Sequence, residues 1–209
     1  MWTASLDDAA QYMIAELTEA MIEGGNATPW RAGVIKTAFP GDWAEPQVRR
    51  LFDAATEASR QTQAALIVHT EQGAGVERLA EYLVEQSIEP ERVVLCHLDK
   101  RPDAGLHRSL ARGGFLLEYD TFARPKYSPE KNVWPLVECL LGDGLSSSIA
   151  CGLDLADSSQ WAFGGGPGML FFTECVQPRL RSFGASDTVV RALLGQNIWE
   201  RVAMRNVAG

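Results

Sequence analysis

The chain has 209 residues, 46% of them hydrophobic and 22% charged, which suits a globular protein with one sizeable core. Its 27 Asp and Glu against 19 Lys and Arg give a net charge of −8. With no dense Lys/Arg cluster to reverse that field locally, nucleic acid is excluded as an expected partner. The first predicted element is a helix, starting at a capping Ser5, carrying Ala9, Met13, Ile14, Leu17 and Met21 at helical spacing and stopping at the pair Gly24-Gly25. "AGVIKTA" (32–38) then reads as a strand and "EPQVRRLFDAATEASRQTQ" (45–63) as a helix. The alternation continues with strand "AALIVHT", helix "GVERLAEYLVEQSI", strand "RVVLCHLD", helix "PDAGLHRSLARGG", strand "GFLLEYD", helix "SPEKNVWPLVECLLGDG" and strand "SSSIACGLD". The last third, "PGMLFFTECVQPRLRSFG", "SDTVVRALLG" and "NIWERVA", is helical by spacing.

Five strand–helix units in strict alternation imply parallel strands with right-handed crossovers. Short, nearly continuous apolar strands are expected where both faces are covered. A doubly wound sheet and a (β/α) barrel both satisfy this rhythm. The polar residues favour the barrel. Lys36, His69, His97 and Asp154 each end a strand, and the remaining strand ends on Glu118 and Asp120. Strand after strand contributing a group at its C-terminal end is how barrels build sites.

No stretch nears the roughly 20 apolar residues of a membrane span. The start, "MWTASLDDAAQY", lacks the basic and apolar parts of a signal peptide. Cys96, Cys139, Cys151 and Cys175 form no C-x-x-C pair and read as reduced, mostly buried thiols. The expectation is a cytoplasmic protein with a small-molecule substrate, no nucleic acid and no membrane.

His, His and Asp are ligands by type for zinc and neighbouring divalent metals. Each follows an apolar triplet: "LIV" before His69, "VLC" before His97, "CGL" before Asp154. Lys36 has two readings on the residues alone. It snorkels from the strand end to solvent. Or, held neutral by nearby positive charge and desolvation, it takes up carbon dioxide as a carbamate that bridges two metals.

"AGVIKTA", "IVHTEQG", "VVLCHLDKRPD", "GLD" and the tail "ECVQPRLRSFGASDTVVRALLGQNIWERVA" resemble, in order and over essentially the whole chain, the phosphotriesterase family of the amidohydrolase superfamily. The resemblance implies a (β/α)8 metal-dependent hydrolase with two divalent metals, usually zinc. It makes Lys36 the carbamylated bridge of the fourth strand, and His69 and His97 ligands from the fifth and sixth. Asp154, ending the eighth, is implied as both a ligand and the acceptor of the proton when a metal-bound hydroxide attacks.

"LEYDTFARPKYSPE" and "GLDLADSSQWAFGGGPGMLFF" resemble more narrowly the branch that opens phosphorylated sugar lactones. That branch carries an aspartate and an Arg-x-Lys-Tyr run, here Asp120 and Arg124-Pro125-Lys126-Tyr127, so Arg124, Lys126 and Tyr127 are implied as substrate-binding residues. It clamps phosphate with a lysine, an arginine and a tyrosine. The lysine matches Lys126, whereas the other two positions hold Asp157 and Gln160. An aspartate repels phosphate, so a neutral lactone is the expected substrate, with a phosphotriester or other ester as the alternative. The "GGGPG" run (164–168) reads as a flexible turn over the barrel mouth, with Trp161 and Phe163 lining a pocket or packing the lid.

One departure is plain. The family's first strand ends in His-x-His, and this sequence has only His69, His97 and His107, the last read as exposed in mid-helix. The expectation is a single domain over 1–209, a partial barrel of about five β/α units corresponding to strands four to eight. One metal site could be lost in it. A second copy or a partner chain is expected to cover the open edges, and a non-catalytic remnant is the reading from a different class.

Overall fold

In a computed structural model, residues 6–203 are described. Helix α1 (Leu6–Thr18) leads into a two-stranded hairpin, β1 (Ile22–Glu23) and β2 (Asn26–Ala27). Ser5, the predicted cap, lies outside the described residues. Met21 was expected on the helix but sits beyond it, because the glycine pair acts differently than a helix stop. Gly24 and Gly25 have φ of +58° and +80°, which builds the tight turn joining Glu23 to its partner Asn26.

The β/α units follow. They are β3 (Val34–Phe39), α2 (Pro46–Thr62), β4 (Ala65–Thr70), α3 (Val76–Glu85), β5 (Val93–Cys96), α4 (Ala104–Arg112), β6 (Leu116–Tyr119), α5 (Pro129–Gly142) and β7 (Ile149–Cys151). The five strands form one parallel sheet in the order β3-β4-β5-β6-β7. The fold class is α/β, a partial TIM-type barrel that does not close.

One face of the sheet packs on the helices. Ile35, Phe39, Leu66, Val68, Val93, Leu95, Leu117, Tyr119 and Ile149 are buried there with Phe52, Leu79, Leu83, Val137 and Leu140. That continuous apolar layer supplies most of the driving force for folding. The other face, inward in barrel terms, is covered only in part. Val94, Cys96, Leu116 and Ala150 form a small second cluster with Ile67, Ile198 and Val202. On β5 both faces are therefore buried, as the apolar run predicts. On β3 they are not. Ile35, Thr37 and Phe39 are buried, Val34 half-buried, and Lys36 and Ala38 exposed, because the cluster that Ile198 and Val202 build over this face of the sheet does not extend to β3.

Ile198 and Val202 belong to α8 (Asn197–Val202), which follows α6 (Gln177–Ser182) and α7 (Asp187–Arg191). Helix α8 is pinned at the strand starts. Asn197 donates to the Ser146 and Ile149 carbonyls at 2.8 and 2.7 Å. Arg201 donates to the Pro90 and Gly114 carbonyls at 3.1 and 2.5 Å. The opposite, carboxyl ends of the strands stay open, and the polar groups gather there.

Candidate functional site

Strand β5 ends at Cys96, and His97 follows in the left-handed region at φ 66°. This breaks the alternation of an extended strand, so His97 does not simply point opposite to Cys96. The His97 ring meets the next strand's end: Nδ1 is hydrogen-bonded to Oδ2 of Asp120, which directly follows the last residue of β6. A carboxylate accepts, so a neutral imidazole in this pair carries its proton on Nδ1 and keeps its lone pair on Nε2. On β6, Glu118 and Asp120 share a face by the period of two. Among the described residues, His97, Glu118 and Asp120 form the group whose metal-ligand atoms all lie within 4.8 Å of one another.

His69 completes the neighbourhood from β4. Its ring centroid is 4.6 Å from that of His97, edge to face. Its Nε2 lies 3.6 Å from a Glu71 carboxylate oxygen. Register explains the meeting: His69 is paired with Ala38 on one side and Cys96 on the other. Lys36 is paired two residues lower, with Ile67, and its Nζ reaches Cys96 Sγ at 3.5 Å.

The electrostatics call for a cation. Glu118 is held above the usual carboxylate range, first by burial and then by the Asp120 charge. Burial and the same Asp120 charge push Asp99 up to about 6. Burial also raises the Cys96 thiol. Oδ1 of Asp120 is buried without a hydrogen-bond partner. A buried unpartnered carboxylate oxygen beside a second carboxylate and an imidazole is the donor set that suits a divalent metal. The residues present therefore fit one.

The other expected site residues are placed differently. Asp154, at φ 45°, is engaged by Arg124: the guanidinium lies 2.7 Å from its carboxylate and also donates to its own carbonyl. Arg124, expected to bind substrate, is thus tied to Asp154. Lys126 is exposed, and its Nζ lies 4.9 Å from the Tyr127 ring, with Lys100 Nζ at 5.3 Å from the same ring. Asp157 and Gln160 bond to each other's turn: Asp157 accepts from Ser159 N at 2.9 Å, and Gln160 accepts from Asp157 N at 3.0 Å. The two positions form a capping box.

One expectation is corrected. His107 is not exposed; it is fully buried, accepting from the Tyr119 hydroxyl at Nδ1 (2.5 Å) and donating from Nε2 to the Arg101 carbonyl (2.9 Å). Burial lowers its pKa to about 4, so it stays neutral. The glycine run forms a turn in which two of the glycines pack closely on neighbouring backbone. A Cβ on Gly164 would lie 1.8 Å from the Ser158 carbonyl oxygen, and one on Gly166 2.3 Å from that of Ser159. Beside it Phe163 stands 82% exposed, so it does not pack the lid. The cysteines divide: Cys96 and Cys151 are buried, Cys139 half-buried and Cys175 exposed.

From the sequence, Glu118 stands out at the end of its strand but without a role, Cys96 reads only as a buried thiol, and Asp99 goes unmarked. The signal for Glu118 was available, since "LLEYD" puts Leu116, Glu118 and Asp120 on one face. Asp99 sits in a turn and carried no comparable signal. Among the described residues, no helix is long and apolar enough to cross a membrane.

Comparison with known proteins places the fold. A phospho-furanose lactonase of Mycoplasmopsis synoviae is 24% identical over 155 residues, covering 71% of this chain and 44% of its own length. The crystal structure of a lactonase from Listeria monocytogenes superposes with a TM-score of 0.88 at 23% identity, over 97% of this chain and 62% of that one. A phosphotriesterase homology protein from Escherichia coli, solved with phosphate in its active site, superposes with a TM-score of 0.84 at 26% identity, over 93% of this chain and 66% of that one. The chain therefore spans less than two thirds of the length of these relatives. Residues 2–200 match the phosphotriesterase family, and the chain belongs to that family.

Proposed function

We propose that this chain is a metal-dependent hydrolase of the phosphotriesterase group, acting on the ester bond of a lactone. The observation that carries the reading is the cluster of buried His97 and Asp120 with half-buried Glu118, His69 lying against it and a carboxylate oxygen left unpartnered. His69 and His97 would hold the metal, zinc by ligand type, with Lys36 as a carbamate and Asp154 as the further ligands that the family resemblance implies. A divalent metal supplies acidified water at neutral pH and polarises the carbonyl oxygen.

The chain's own residues do the rest. Asp120 holds His97 by its Nδ1 proton, which leaves Nε2 as the ligand atom. Asp154 accepts the proton released as water adds to the carbonyl carbon. Arg124 keeps that carboxylate in place. Tyr127, flanked by Lys100 and Lys126, stands as the wall for the substrate ring. Because Asp157 and Gln160 satisfy each other, they offer no clamp for a phosphate, which supports a lactone without one.

The test is a panel of neutral lactones, phosphorylated furanose lactones and phosphotriesters, with metal and bicarbonate supplied. Turnover of neutral lactones above the others is expected. Turnover of phosphotriesters alone would move the reading to the alternative substrate class. A second reading, a metal-binding remnant without catalysis, is favoured by one observation: Lys36 and Ala38 lie exposed on the edge strand. We propose that a second copy or a partner chain covers this edge. Bound metal with no turnover of any substrate would select the remnant.

A further inference from the structure

The turn that follows His97 is fastened to the end of β6 more firmly than packing alone requires. Residues Leu98–Lys100 form a single helical turn, and the side chain of Asp99 reaches from it across to the neighbouring strand. One oxygen of that carboxylate, Oδ2, accepts three hydrogen bonds: from Asp120 N at 3.0 Å, Thr121 N at 2.8 Å and Thr121 Oγ1 at 2.6 Å. Asp99, Asp120 and Thr121 are each at most 1% exposed. Placing Asp99 and Asp120 side by side inside the protein is electrostatically costly, so the contact is retained against a penalty.

What it secures is the backbone of the residue whose side chain grips His97. With Asp120 N held, the Asp120 carboxylate is aimed at His97 Nδ1, two residues before Asp99 on the other strand. The loop is closed: His97, Asp99 and Asp120 form a ring across the ends of β5 and β6. A second tether runs parallel to it, from Arg101 O through His107 to the Tyr119 hydroxyl.

We propose that Asp99 is a positioning residue, which fixes the Nδ1-protonated tautomer of His97 through Asp120 and so presents Nε2 to a metal. The inference rests on the proposed function only for the metal; the tautomer is a property of the chain itself. An outer partner that orients a ligating imidazole is worth about 10–100-fold in metal affinity.

The experiment uses the full chain and two readouts. The first is the tautomer of His97 by long-range 15N NMR of the imidazole in the metal-free protein. The second is zinc affinity by competition with a chromophoric chelator. In the parent, the Nδ1–H form is expected. Asp99→Ala should convert His97 to mixed tautomers and weaken zinc by about 10–100-fold. Asp99→Asn, which keeps an accepting oxygen, should restore most of both. If Asp99→Ala fails to fold, Thr121→Val removes one of the three donors and should shift the tautomer in the same direction by less. An unchanged tautomer with zinc affinity within about twofold in Asp99→Ala would overturn the proposal. A parent that shows the Nδ1–H form, loses it in Asp99→Ala and binds no zinc would sink the proposed function while leaving the positioning role standing.

Discussion

The centre of the sheet and its flanks treat their polar groups in opposite ways. At the ends of β5 and β6, His97, Asp99 and Asp120 are buried and bonded to one another. At the flanks, Lys36 on β3 is exposed, reaching the Cys96 thiol and acting on Glu118 only by its charge, and Asp154 beyond β7 is held by Arg124. A central strand has neighbours on both sides to fix its end groups. An edge strand has one, and its groups take whatever contact is left.

The largest expected effect concerns the buried core of this contrast. His107 is neutral in the folded chain with a pKa near 4, against an ordinary value of 6.5. Its contribution is full above pH 6.5 and is lost as pH falls toward 4, a swing of about 3 kcal/mol. Asp99, pushed up to about 6, works with the opposite sign, gaining stability as pH falls below 6 toward its ordinary 3.8. The two partly cancel in the parent, so the His107 part is read as a difference. Urea denaturation of the parent and of His107→Gln across pH 4 to 7 should give curves that diverge, the variant losing less on acidification. Parallel curves would break the account of His107 as a buried neutral tether.

Next in size is the centre against the open edge. His69→Ala is expected to weaken metal binding on the order of 100-fold, and Lys36→Ala on the order of tenfold, since Lys36 sits on the exposed face of β3. Chelator competition measures both. A larger loss from Lys36→Ala would reverse the comparison and make the edge the better-held half of the site.

Smaller still is the far flank. Arg124→Gln removes a partly buried ion pair to Asp154, whose side chain is 27% exposed against 11% for Arg124. A loss of about 1 kcal/mol is expected by thermal unfolding. The smallest effect should come from the outer fastening of the β5 turn. Arg101 pairs with Glu77 at 2.6 Å, but their side chains are 35% and 47% exposed. Glu77→Gln should cost about 0.5 kcal/mol and leave the His97 tautomer alone. A shifted tautomer there would show that surface pairing, not the Asp99 contact, orients the histidine.

The order of strands and helices was legible because each buried strand is a short apolar run and each helix carries its stripe at 3.6-residue spacing. The ligand-type residues were legible for a related reason: a polar group at the end of such a run stands out, as His69 and His97 do. What stayed hidden depends on contacts between units. Nothing local distinguishes the Gly24-Gly25 pair as a hairpin turn from a helix stop. His107 looks like any helical histidine until Tyr119 and Arg101 are brought to its two nitrogens. Asp99 acts on groups of Asp120 and Thr121, more than twenty positions away. Asp157 and Gln160 looked like losses from a phosphate clamp, and three-dimensional structure gives them a positive role as a cap.

The central claim is that His97 presents a metal ligand at the joined ends of β5 and β6. The most direct measurement is metal content of the purified chain by elemental analysis after zinc loading and desalting, for the parent, His97→Ala and His69→Ala. The account predicts bound zinc in the parent and its loss in both variants, with circular dichroism unchanged. Equal zinc in the parent and both variants would contradict it.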